Sequence, residues 1–192
     1  MIHKHIPAQS GDLTLLLLHG TGGDEDDLIP IGRAVAPGAA LLSPRGSVSE
    51  GGALRFFRRL APGVFDERDI RVRAAELAEF VSQFPAKRLM ALGYSNGANI
   101  AAALMLLHPG VLKGAVLLRP MVPLVPDPLP DLRGTRVQIQ AGVEDSTTTV
   151  QNTEALARLL SSAGAAVEVL WMDAGHELGP GDFQSAKDFF SV

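Results

Sequence analysis

Gly93-Tyr94-Ser95-Asn96-Gly97 sets a serine between two glycines in a G-x-S-x-G pattern, directly after an apolar run at residues 89–92 and directly before a second at 96–107. A strand that turns sharply into a helix at such a serine holds the hydroxyl out from the backbone in a strained conformation, and the flanking glycines keep neighbouring atoms out of the turn. The following helix points unpaired N–H groups at the same spot, so partial positive charge waits where an oxyanion would form. The chemistry that suits this arrangement is attack on a carbonyl carbon through an acyl-enzyme. A bare five-residue match also reads as a Gly/Ser turn capping a helix. The strand before it and the helix after it select Ser95 as a nucleophile.

A serine hydroxyl needs a base to remove its proton, and the base needs a third group to orient it. In hydrolases built on such an elbow the chain order is serine, acid, histidine, each at the end of a strand. Downstream of Ser95 the histidines are His108 and His176. His108 precedes Pro109-Gly110 at the end of the apolar helix, where it suits a cap. His176, in Asp173-Ala174-Gly175-His176-Glu177 just past the last strand, stands where the base is expected. Glu144 and Asp145 follow the preceding strand; Asp145, nearer the apex of its loop, is the expected acid, Glu144 its substitute, and Asp173 structural.

Two further segments bear on chemistry. His19-Gly20-Thr21-Gly22-Gly23 is a glycine-rich turn without the lysine of a P-loop. Beside an elbow serine it reads as an oxyanion loop in which the backbone amides of Thr21 and Asn96 donate. His19 is a rival base, better suited to fixing this loop by hydrogen bonding. Arg55-Phe56-Phe57-Arg58-Arg59 is expected on a surface loop. One reading is a solvated charge run with two phenylalanines tucked beneath; the other is that the arginines attract an acidic substrate and the phenylalanines wall an acyl pocket. Phe56, Phe57, Arg58 and Met121 are the expected substrate contacts.

The elements that must position these residues follow from periodicity. Short apolar runs at 13–18, 39–42, 89–92, 115–118, 137–141 and 167–172 suit strands buried on both faces, with 3–7 as a seventh at the edge. Helical spacing marks 71–84, through Leu77, Phe80, Val81 and Phe84, and 149–163, where Thr148 and Gln151 resemble a capping box. Residues 96–107 are apolar nearly all round, as for a helix buried against the sheet. Phe183, Ala186, Phe189 and Phe190 mark a last helix, and 24–28 an acidic helix start. Alternating strands and helices predict one doubly wound, mostly parallel α/β domain over 1–192. Residues 120–130, with prolines at 120, 123, 126, 128 and 130, form a stiff loop rather than a lid.

The bulk properties exclude several classes. Of 192 residues, 46% are hydrophobic and 20% charged, the balance of a globular protein rather than a disordered one. A net charge of -4 gives no electrostatic reason to seek nucleic acid or anionic lipid. With no cysteine there is no disulfide, thiolate nucleophile or sulfur-ligated zinc. Neither a secretory signal nor a run of about 18 apolar residues is present, so a cytoplasmic location, no membrane partner and no metal or cofactor are expected. The oligomeric state stays open, a homodimer included.

Leu18-His19-Gly20-Thr21-Gly22-Gly23-Asp24-Glu25, Gly93-Tyr94-Ser95-Asn96-Gly97-Ala98-Asn99, Leu118-Arg119-Pro120-Met121 and Asp173-Ala174-Gly175-His176 together resemble the phospholipase/carboxylesterase family, small α/β-hydrolases related to the acyl-protein thioesterases. The resemblance covers nearly the whole chain. It implies an α/β-hydrolase fold with a sheet of six to seven strands and no lid domain. It also implies Ser95, Asp145 and His176 as a triad, with the Thr21 and Asn96 amides as oxyanion donors. The expected substrate is a small soluble carboxylic ester. The alternatives are a thioester or lysophospholipid cleaved by the same triad, and, from another class, a silent hydrolase fold that only binds ligand.

Overall fold

Leu13, Leu15 and Leu17 face one side of the strand β2 (Leu13–Leu18), and Leu16 and Leu18 face the other; all five are buried. A strand can be apolar on both faces only where helices cover both, and that is the architecture of the chain. A computed structural model describes residues 1–61 and 63–191. Around β2 lie β1 (His3–Ile6), β3 (Ala40–Pro44), β8 (Arg88–Tyr94), β9 (Gly114–Leu118), β10 (Arg136–Gly142) and β11 (Ala166–Met172). They form a seven-stranded sheet in the order β1-β3-β2-β8-β9-β10-β11, with β1 antiparallel to β3 and the other neighbours parallel. The helices α1 (Ile29–Val35) and α5 (Pro180–Phe190) cover one face through Val35, Ala186, Phe189 and Phe190. On the other face are α2 (Glu67–Ser82), α3 (Asn96–Leu107) and α4 (Val150–Ser162), through Ile70, Leu77, Ile100, Leu104, Leu156 and Leu160.

The expected edge strand, the six core strands and the deeply buried α3 are all present, and four local readings change. The acidic stretch 24–28 is a turn, and α1 starts only at Ile29, where Pro30 occupies the first turn. Helix α2 starts at Glu67, four residues before the expected 71, because the Asp66 side chain accepts the Asp69 amide and caps it. The cap of α4 is Thr149, which accepts from the Asn152 amide at 3.2 Å; Thr148 is buried and serves elsewhere. Two short antiparallel pairs follow, β4 (Val48–Glu50) with β5 (Ala53–Arg55) and β6 (Arg59–Ala61) with β7 (Val64–Phe65), so the Arg55–Arg59 stretch joins two ribbons. Residues 119–135, between β9 and β10, hold neither helix nor strand, so no lid is inserted there. No described helix is long and apolar enough to cross a membrane.

Helix α3 meets the sheet through bare backbone. A Cβ on Gly97 would lie 1.9 Å from the Leu18 carbonyl oxygen, and one on Gly93 would lie 2.6 Å from that of Gly97. Both obstacles are main chain, one in β2 and the other in the first turn of α3, and neither can rotate away. Gly97→Ala is therefore expected to lower the unfolding free energy by about 3 kcal/mol or more, read as a shifted midpoint in urea. An unchanged midpoint would show that α3 can lift off β2 without cost.

Candidate active site

Strand register brings the chemistry to one edge. Leu18 pairs with Gly93, Tyr94 with Leu118, Leu118 with Gln140, and Gly142 with Met172, so the chain leaves β2, β8, β9, β10 and β11 at neighbouring points. These are the carboxyl ends of parallel strands, where open α/β sheets bind ligands.

Ser95 sits at φ 50° and ψ -111°, a left-handed backbone that a non-glycine residue adopts only when its surroundings impose it. They do so from both sides: its N–H donates to the Leu118 carbonyl at 2.8 Å, and its own carbonyl accepts from Asn99 at 3.0 Å. Its hydroxyl lies 3.0 Å from His176 Nε2, and His176 Nδ1 lies 2.7 Å from Asp145 Oδ2. An ionised carboxylate only accepts, so Nδ1 carries the proton and leaves Nε2 as an acceptor facing Ser95. The amides of Thr147 and Thr148 donate to Asp145 Oδ1 at 2.7 and 2.9 Å, which fixes the second carboxylate oxygen of a side chain only 1% exposed. Glu144 and Asp173 are exposed, and His108 caps the far end of α3.

The amide of Asn96, first in α3, has no acceptor within the helix. Asn96, with Thr21, Ser95 and His176, lines a cavity of about 220 Å³. The loop that carries Thr21 is held from several directions. Gly22 N–H donates to Leu54 O at 2.8 Å, Arg55 Nη1 donates to Thr21 Oγ1 at 2.8 Å, and Arg45 grips both oxygens of buried Glu25. His19 is the innermost tie: its Nε2 accepts from the Gly46 amide at 2.9 Å, so Nδ1 is the donor to the Gly20 carbonyl, 2.7 Å away. Burial pushes this imidazole below its ordinary pKa, and with its lone pair occupied it fixes the loop and has no free nitrogen to act as a base.

Of the expected substrate contacts, Met121 lines the cavity, and Phe56, Phe57 and Arg58 do not. Phe56 and Phe57 are 4% and 0% exposed, packed against His19 and Phe65 in the core, because two aromatic rings gain more from burial under the two ribbons than from a polar cleft. Arg58 turns outward to Asp66 and Asp69. Their neighbours Arg55 and Arg59, with Phe65, take the wall instead.

No protein-family model matches the chain. A curated relative from Bacillus subtilis, named "Putative hydrolase MhqD", is 47% identical over 194 residues, covering 97% of each protein. The Bacillus cereus carboxylesterase superposes with a TM-score of 0.93 at 44% identity, over 98% of this chain and 93% of that one. A carboxylesterase from Mesorhizobium loti matches with a TM-score of 0.89 at 37% identity, over 95% and 90%. The chain belongs to the phospholipase/carboxylesterase family. It is a serine ester hydrolase with the α/β-hydrolase fold.

What holds the histidine loop of this hydrolase was missed in the residue-level reading. Arg119, 1% exposed, donates from Nε to Gly175 O at 2.9 Å and from Nη2 to Glu177 O at 2.9 Å, while both terminal nitrogens grip Asp182 at 2.7 and 3.1 Å. The carbonyl between, that of His176, accepts from the Tyr94 hydroxyl at 3.1 Å. Three consecutive carbonyls are thus anchored around the imidazole. The signal lay in an arginine directly after an apolar strand, a place where a solvated charge has no reason to be. Asp182→Asn is expected to cost about 3 kcal/mol of stability, because it leaves a buried guanidinium uncompensated. It should also lower kcat by roughly tenfold or more with little change in KM, through displacement of the imidazole rather than of the cavity walls. A KM effect with kcat intact in steady-state assays would detach this ion pair from the histidine.

Proposed function

We propose that Ser95, His176 and Asp145 form the catalytic triad of this enzyme, and that it hydrolyses small carboxylic esters with short acyl chains. The observation that carries the reading is the unbroken chain of contacts from Ser95 Oγ to His176 Nε2 and from His176 Nδ1 to Asp145 Oδ2. As Oγ attacks the ester carbonyl carbon, Nε2 takes its proton, and the buried Asp145 carboxylate stabilises the imidazolium. The carbonyl oxygen becomes an oxyanion and receives the N–H groups of Thr21 and Asn96. His176 returns the proton to the departing alkoxide, which leaves an acyl ester on Ser95. A water then gives its proton to Nε2, attacks the acyl carbon, and releases the acid with Ser95 restored.

Ser95→Ala is expected to abolish turnover and labelling by a fluorophosphonate while preserving the melting temperature. Asp145→Asn should lower kcat by about four orders of magnitude, and Glu144→Gln should be nearly silent. Reversed behaviour of the two carboxylate variants would move the acid to Glu144.

Substrate size follows from space. A cavity of about 220 Å³ is smaller than the range of about 300–1,000 Å³ that holds drug-sized ligands, and no helical cap extends it. Over p-nitrophenyl esters of increasing acyl length, kcat/KM should peak at short chains and show no jump when the substrate forms micelles. An optimum at long chains would point to a lipid-binding surface.

A further inference from the structure

The cavity wall carries more positive charge than ester hydrolysis requires. Arg55 and Arg59 both line it beside Ser95. Glu50 is the carboxylate between them, 3.4 Å from Arg55 Nε and 2.8 Å from Arg59 Nε. Two guanidinium groups share one carboxylate, so the cluster holds one positive charge in excess. Arg55 is 4% exposed, yet it is built in: Nε donates to Phe57 O at 3.2 Å, Nη1 to Thr21 Oγ1, and its guanidinium lies 5.8 Å from the Phe57 ring centre. Among the described residues Nη2 has no hydrogen-bond acceptor. Arg59 is 37% exposed on its side chain and bonds Glu50 through Nε alone, which leaves its terminal nitrogens unpaired among the described residues. Burial, and then the like charge of Arg59, lower the pKa of Arg55, with Glu50 opposing. A second anion would relieve that repulsion. Thr21, the oxyanion-loop residue, accepts from Arg55, so the excess charge stands next to where the scissile carbonyl must lie.

Resting on the ester-hydrolase reading above, we infer that Arg55 and Arg59 form a carboxylate subsite, and that the preferred substrates are short esters bearing a free carboxylate a few bonds from the scissile carbonyl. Guanidinium groups with free N–H donors, held in place in a small cleft, suit a planar carboxylate.

Two matched pairs of probes test this, with acid release followed at constant pH. Monomethyl succinate against methyl levulinate places the carboxylate on the acyl side. Acetoxyacetate against acetoxyacetone places it on the leaving group. In at least one pair, Arg59→Gln should lower the anionic-to-neutral ratio of kcat/KM by about tenfold, and so should raising the salt from 0.05 to about 0.5 M in the native enzyme. Independently of turnover, Ser95→Ala should bind succinate in calorimetry, more weakly once Arg59→Gln is added. If Arg59→Gln slows both members of each pair equally and succinate does not bind, the arginines serve only the developing oxyanion; the subsite is then overturned while the esterase reading stands. If succinate binds through Arg59 but no ester is cleaved, the subsite stands and the esterase reading falls.

Discussion

A single buried cation organises the half of the site that sequence order leaves farthest from the serine. Arg119 reaches the Gly175 and Glu177 carbonyls, the Gln140 carbonyl and both oxygens of Asp182, linking the ends of β9 and β10, the histidine loop and the first turn of α5. Taking a guanidinium out of water is costly, and it persists here because nearly every donor finds an acceptor. Its backbone is held at φ 53°. Among the described residues Ser95 is the other non-glycine with positive φ, and the two directly follow the adjacent strands β8 and β9. Strain is thus concentrated at neighbouring strand ends, with the rigid sheet beneath holding both.

The remaining parts fit around that frame by side chains that bind backbone. Asn96 Oδ1 accepts from the Phe56 amide and Asn99 Oδ1 from the Met121 amide, each at 2.7 Å, so one turn of α3 secures both the ribbon wall and the proline-rich wall. The acid and base loops touch directly as well. Glu144 N–H bonds Ala174 O, and a Cβ on Gly142 would lie 2.2 Å from Gly175 O. The distance from Asp145 to His176 is therefore set by main-chain contacts and not by the side chains alone.

What could be read from the chain and what could not divide along physical lines. The sheet was legible because Leu15, Leu16 and Leu17 cannot all be buried in succession unless both faces are covered. The residues now in contact, Ser95, Asp145 and His176, were legible because each follows an apolar strand in a loop with few competitors. The short pairs β4–β5 and β6–β7 were not. Their strands are two or three residues long and are held by contacts remote in sequence, such as Gly22 to Leu54, and Gly46 lies so close that a Cβ there would be 2.4 Å from Arg55 O. Without those contacts, nothing in the stretch 55–59 says that the phenylalanines turn inward and that Arg55 and Arg59, rather than Arg58, meet the cavity. Arg119 was hidden for a related reason: its partner Asp182 is 63 residues away.

That separation has a consequence for the chain as it is made. Ser95, its elbow and the whole of α3 are synthesised well before Asp182, the residue that completes the anchorage of the imidazole. A growing chain that has already made β8 and α3 still lacks both Asp182 and the apolar residues of α5 that cover one face of the sheet. The anchorage of the histidine loop therefore depends on α5, the last helix of the chain to be made, and this corner of the fold can be completed only when that helix docks.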